Sequence, residues 1–167
     1  FVGSNNINLL FPSGQFGSRL QGGKDSASPR YIFTRLSEVT RLIFREEDDG
    51  ILHYLNDDGF KIEPDTYLPI IPTILVNGTR GIGTGYASNV PCYHPIQIID
   101  SVLARIRGTD YSPLQPWYRH FTGSIKEHDG TYYSQGKYQM IKTNQIVVTE
   151  LPIGTWTENY KVFLDSC

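Results

Sequence analysis

The sequence has 167 residues, 39% of them hydrophobic, and a formal net charge of −2 at pH 7. That length and composition allow one packed domain, or a small domain plus part of another, and exclude wholesale disorder. No apolar run approaches the ~20 residues of a membrane helix, no basic-then-apolar leader reads as a signal peptide, and the average charge by itself argues against a nucleic-acid partner.

The distribution of charge reverses that last point. Residues 1–45 carry six basic side chains (Arg19, Lys24, Arg30, Arg35, Arg41, Arg45) against Asp25 and Glu38, a local excess of +4. Residues 46–67 carry eight acids against Lys61, a local excess of −7. A basic segment beside an acidic one fits phosphate binding on a single face. The two cysteines, Cys92 and Cys167, lie far apart without metal-ligand spacing, which favours a reducing compartment. The chain starts at Phe1 and stops inside a helical-looking pattern, so it reads as an interior piece of a longer protein.

In chain order, residues 1–30 are punctuated by Gly14, Gly17, Gly22 and Gly23 and read as loop or short strands. "RYIF" favours an extended run. Thr34 is then the preferred cap of a helix through Phe44, with Ser28–Pro29 an earlier, competing cap. The acids at 46–49 and "LNDDGF" read as loop or boundary. "YLPIIPTILVNG" predicts a proline-broken run, a buried strand and a turn. That turn accounts for Asn77-Gly78-Thr79 better than the glycosylation triplet it also matches. "HPIQIIDSVLARIRG" has Ile96, Ile99, Val102, Leu103 and Ile106 at helical spacing and ends at Gly108, a helix cap. Asp129-Gly130 signals a hairpin, and "GTWTENYKVFLDSC" starts a final helix. The fold class is α+β: a small basic unit to about residue 45, then a separate, sheet-centred unit.

Four features invite a chemical reading. "GTRGIGTG" (residues 78–85) fails as a dinucleotide fingerprint, because the sixth position counted from Gly81 is Tyr86 and no helix opens after it. It also lacks the Gly-Lys-Ser/Thr of a phosphate-binding loop. Its glycines instead strip side chains from around Ile82, which either tucks into the core or stands out as an apolar wedge able to part a base step. The acids at 46–49 lack the spacing of a divalent-cation loop and read as solvated. The four histidines show no ligand or nucleophile-activating spacing. Tyr31 has three readings: core packing with a tethered hydroxyl, a kinase target, or a nucleophile toward phosphorus. A phenol of pKa about 10 needs positive charge nearby to favour its oxyanion, and Arg30 can supply it. In a regular strand these neighbours would face opposite ways, so a shared target requires irregular backbone, which Pro29 favours.

Three stretches decide among these readings. "NNINLLFPSGQFGSRLQGGKDSASPRYIFT" closely resembles the active-site-tyrosine region of eukaryotic-type type II DNA topoisomerases, "YLPIIPTILVNGTRGIGTGYASNVP" the next stretch of that family, and "QIVVTELPIGTWTENY" a third. The order resembles, more loosely, that of the bacterial gyrase A protein. The resemblance implies that Tyr31 is the nucleophile, forming a 5′-phosphotyrosyl ester, and that Arg30 stabilises the transition state. It implies that Ile82, flanked by Gly81 and Gly83, intercalates and bends double-stranded DNA, and that Lys24, Arg19 and Gln15 make further DNA contacts. Residues 1–45 would be the C-terminal part of a winged-helix domain, and 46–167 an incomplete, mostly β, partly helical tower-type domain. The parent would be a homodimer using Mg2+ and ATP, both held by segments outside this chain. It would be nuclear, or sit at the site of viral DNA replication if virus-encoded, with no membrane partner. "KDSA" (residues 24–27) superficially resembles part of the family's metal motif but lacks the leading Glu-Gly. The fragment alone is expected not to cleave DNA. A non-catalytic DNA-bending module is the rival reading.

Overall fold

The structure, a computed structural model, describes residues 5–167; residues 1–4 of the expected first unit lie outside the described residues. Strands β1 (Leu10–Ser13) and β2 (Phe33–Leu36) precede a one-turn helix α1 (Thr40–Ile43). A 3-10 helix (Glu46–Ile51) leads to β3 (Tyr54–Asp57) and β4 (Phe60–Pro64). Then come α2 (Thr73–Asn77), β5 (Thr79–Ile82), β6 (Ala87–Val90) and α3 (Pro95–Arg107). Strands β7 (Ser124–His128), β8 (Thr131–Gln135), β9 (Lys137–Lys142) and β10 (Gln145–Glu150) precede the closing helix α4 (Thr157–Asp165). The described strands pair as five separate antiparallel ribbons of two, so the mixed α and β content is as read but the expected central sheet is not formed.

Burial explains the absence of a central sheet. The described core is a small cluster of Ile43, Ile71, Val76 and Ile98, with Phe44, Leu75, Tyr93 and Val102 packed around it. These residues come from α1, α2, α3 and the segments between them, and they lie on both sides of residue 45. The backbone follows suit: Ile70 N–H donates to Ile43 O (2.9 Å) and Tyr93 N–H to Leu75 O (2.8 Å). Asn6 sits at the hub. Its side-chain amide donates to the carbonyls of Val76, Tyr93 and Trp117 and accepts from Arg119 N–H at 2.8 Å. Asn77 adds a two-way bond to the Ile7 backbone, accepting from its N–H at 2.9 Å and donating to its carbonyl at 3.0 Å. Buried polar groups that meet their partners in this way cost little, whereas an orphaned one costs about 1–3 kcal/mol.

Several expected elements differ. Thr34 caps nothing; it lies in β2 opposite Pro12, because β1 claims residues 33–36 by backbone pairing. The helix starts only at Thr40, whose hydroxyl donates to Leu9 O. The competing Ser28–Pro29 start opens a single 3-10 turn, Pro29–Tyr31, with no side-chain cap. "TILVN", expected as a buried strand, is the short helix α2, in which Leu75 N–H reaches back to Pro72 O (2.9 Å). A four-residue apolar run has no period to tell strand from helix, and Pro72 fixes φ for a helical start. Asn77 therefore ends a helix rather than a strand turn. "LNDDGF" is the turn of the β3–β4 ribbon, with Asp58 and Gly59 at φ 48° and 84°. The acids at 46–49 form a 3-10 helix laced to arginines, Arg41 to Asp49 and Arg45 to Glu47, both at 2.6 Å.

Helix α3 is as expected. Pro95 occupies its first turn, His94 Nδ1 accepts from Ile96 N–H (3.2 Å), and Gly108 closes it in the left-handed region. The Asp129-Gly130 hairpin and the final helix also form where expected. No helix among the described residues is long and apolar enough to cross a membrane.

Candidate functional site

The segment from Gln15 to Tyr31 is a folded loop, held from inside by a carboxylate. Asp25 accepts from Ser18 N–H (2.8 Å), Ser18 Oγ–H (2.5 Å) and Gln15 Nε2–H (3.2 Å). These bonds, the Ser18 hydroxyl foremost, hold its carboxyl below the usual range. Ala27 N–H donates to Gln15 O (2.9 Å) and closes the loop base. Asp25 entered the sequence reading only as a charge. The signal that could have singled it out is the local habit of Asp and Ser side chains to bond nearby backbone in turns.

The loop delivers the chain into the Pro29–Tyr31 turn, where Tyr31 N–H donates to Ser28 O (2.9 Å). The alternation of a strand is thereby suspended. Arg30 and Tyr31 lie together, the guanidinium carbon 4.9 Å from the ring centroid. Tyr31 is 64% exposed, so its hydroxyl is not sealed in the core. An exposed phenol beside a guanidinium is what attack on a phosphodiester requires of these two side chains: reach, and positive charge where negative charge accumulates.

The second feature is the tip of the β5–β6 ribbon. Thr79 pairs with Val90 at its base and Ile82 with Ala87 at its end. Gly83 N–H donates to Tyr86 O (2.8 Å) to close the tip. A Cβ on Gly83 would lie 2.7 Å from the Tyr86 ring, so only glycine admits that ring. Nothing stands within 4 Å of where a Gly81 Cβ would be, which keeps the ribbon thin beside Ile82. Ile82 is 94% exposed. The core alternative for this residue does not hold.

The remaining expected contacts divide. Lys24 is exposed and takes part in none of the ion pairs among the described residues. Gln15 is engaged by Asp25. Arg19 has an intramolecular partner that sequence spacing could not reveal, the carboxylate of Glu150, 131 positions away, and it also donates to Leu151 O (3.1 Å). Glu150 in turn accepts from Thr122 N–H (3.1 Å) and Thr122 Oγ1–H (3.0 Å). Burial pushes its carboxyl up, but the bonds from Thr122 and Arg19 outweigh this and hold it below the usual glutamate value.

A family model for the A-type protein of DNA gyrase/topoisomerase IV matches residues 1–167. The chain belongs to that family. It is 53% identical to the DNA topoisomerase 2 of Arabidopsis thaliana, over 99% of this chain and 12% of that protein. It is 51% identical to the mitochondrial DNA topoisomerase 2 of Dictyostelium discoideum, over 99% of this chain and 13% of that protein. Among solved structures, the topoisomerase II DNA-binding, cleavage and re-ligation domain of Plasmodium falciparum superposes with a TM-score of 0.92 at 53% identity, covering 99% of this chain and 23% of that one. The eukaryotic-type resemblance read from the three sequence stretches is borne out by these matches, and the chain spans about an eighth of the length of the curated relatives.

Proposed function

We propose that this chain is the tyrosine-bearing part of an ATP-dependent type II DNA topoisomerase that opens double-stranded DNA through a 5′-phosphotyrosyl intermediate and reseals it. The observation that carries the reading is Tyr31, 64% exposed on an irregular turn with the Arg30 guanidinium 4.9 Å from its ring. The Tyr31 oxygen attacks a backbone phosphorus. The new O–P bond replaces the P–O3′ bond, and the phenolic proton ends on the departing 3′ oxygen, directly or through solvent. Arg30 offsets the charge that builds on the phosphoryl oxygens. One phosphodiester replaces another, so the reverse attack by the 3′ hydroxyl reseals the strand without further activation. Two such chains in a homodimer would open both strands and let a second duplex through.

Ile82 is the wedge that enters the groove and bends the duplex, with Gly81 and Gly83 keeping bulk away from it. Lys24 is the loop cation left for phosphate. Magnesium and ATP belong to the parent enzyme. Among the described residues no three His, Cys, Asp or Glu side chains converge to hold a metal ion, so these residues do not fit a magnesium site, and none of the steps above passes through one. Residues up to 45 would end a winged-helix domain and 46–167 form a tower-type domain, the two sharing the Ile43–Ile71–Val76–Ile98 cluster. The parent would be nuclear, although one relative is named as mitochondrial.

The test is denaturant trapping of the full-length parent on end-labelled DNA, followed by peptide mapping. Label on the Tyr31 peptide, abolished by Tyr31→Phe, is the expected result. Adduct formation that survives Tyr31→Phe would overturn the assignment.

A further inference from the structure

We propose that Glu150 is a positioning residue for the Tyr31 loop, acting through Arg19, so that Arg19 serves as an internal strut instead of a phosphate ligand. This rests on the reading of Tyr31 as the nucleophile. Glu150 is 7% exposed, and it is the charged member of the small set of buried polar residues described. A carboxylate out of water is tolerated only when paired and fully hydrogen-bonded. Thr122 supplies two of its donors from the chain's second half. The cation comes from the tyrosine loop.

The same stretch of chain grips the loop at four further points. Gly22 lies flat against the Trp156 indole, so closely that any Cβ there would collide with the ring. Leu20 O accepts from Glu158 N–H (3.0 Å) and Arg19 O from Thr157 N–H (3.5 Å), two donors that the first turn of α4 cannot satisfy itself. Gln21 Nε2–H donates to Glu158 (3.2 Å). Residues 19–22 are thereby fixed to residues 150–158. The Asp25 bonds to Ser18 and the Ala27-to-Gln15 bond carry that fixed position on to the turn that presents Tyr31. In-line attack on phosphorus tolerates little displacement; an error of about 1 Å costs on the order of 100-fold in rate. An arginine neutralised by a buried glutamate, in contrast, adds little to the attraction for a duplex.

The experiment compares cleavage with binding in the full-length parent. Glu150→Gln keeps the shape and removes the charge; Arg19→Ala removes the strut; Arg19→Lys retains its charge. Covalent adduct is trapped at saturating supercoiled plasmid, and duplex affinity is measured across a salt series. Glu150→Gln and Arg19→Ala are expected to lower adduct formation by about 10- to 100-fold, with affinity and salt slope unchanged and with Arg19→Lys restoring most of the cleavage. Wild-type cleavage in Glu150→Gln would overturn the proposal. So would a salt slope flattened by about one unit in Arg19→Ala, which marks a lost phosphate contact. A cleavage loss that only follows the unfolded fraction, read from thermal melts, would overturn it as well. Tyr31→Phe, run alongside, separates the two layers: adduct persisting in that variant sinks the nucleophile itself, whatever Glu150 does.

Discussion

Truncating Ile82 to alanine separates a wedge from a core residue. At 94% exposure the side chain buries almost nothing in the folded protein, so its loss opens no cavity and leaves the melting temperature within the scatter of a surface substitution, about ±0.5 kcal/mol. On a bent duplex the same side chain would be enclosed by bases. Removing its outer carbons at about 0.8 kcal/mol each forfeits roughly 2 kcal/mol of burial, which corresponds to about a 30-fold smaller bent fraction. Fluorescence transfer between the ends of a short labelled duplex, with the full-length parent bound, reads that fraction directly. Cleavage should fall with it. Unchanged transfer in Ile82→Ala would refute the wedge, and a large fall in thermal stability would refute the exposure on which the magnitude stands.

Other perturbations have equally definite outcomes. Gly22→Ala forces a methyl group into the Trp156 indole at a backbone φ of +62°, and about 1–3 kcal/mol of lost stability is expected in urea unfolding. Asn6→Ala orphans three carbonyls and the Arg119 N–H at once, and about 3 kcal/mol is expected by the same measurement. Glu150 has its folded pKa depressed, so its contribution to stability is fully present above the ordinary glutamate value and is lost as pH falls through the lower, folded value. Glu150→Gln should therefore flatten the acid limb of stability against pH, measured by calorimetry. Tyr31→Phe removes an exposed hydroxyl and should abolish the adduct while leaving the melting temperature unmoved.

What could be read from residues alone divides along the range of the forces involved. Helix α3 is legible because its start and stop are written locally, in Pro95 and Gly108, around a helical period. The Asp129-Gly130 hairpin is legible for the same reason. The identical Asp58-Gly59 signal is masked by the acids around it, which resemble a linker. Thr34 and "TILVN" mislead because the deciding partners, β1 and the Pro72 turn, compete with local propensity. At the candidate site, the pairing of Tyr31 with Arg30 and the isolation of Ile82 follow from Pro29 and from the surrounding glycines. The engagement of Arg19 does not, since no spacing rule connects positions 131 residues apart.

The Asn6 hub has a mechanical consequence. One side-chain amide pins Val76 in α2, Tyr93 beyond the β6 exit and the Trp117 segment to the stretch of chain that runs on into β1, and β1 lies zipped to β2 immediately downstream of Tyr31. Torque applied to the ribbon tip by a stiff duplex is thus borne by a continuous lever of hydrogen bonds ending at the phenol, so that DNA resisting deformation tugs on the same backbone that aims the reacting oxygen.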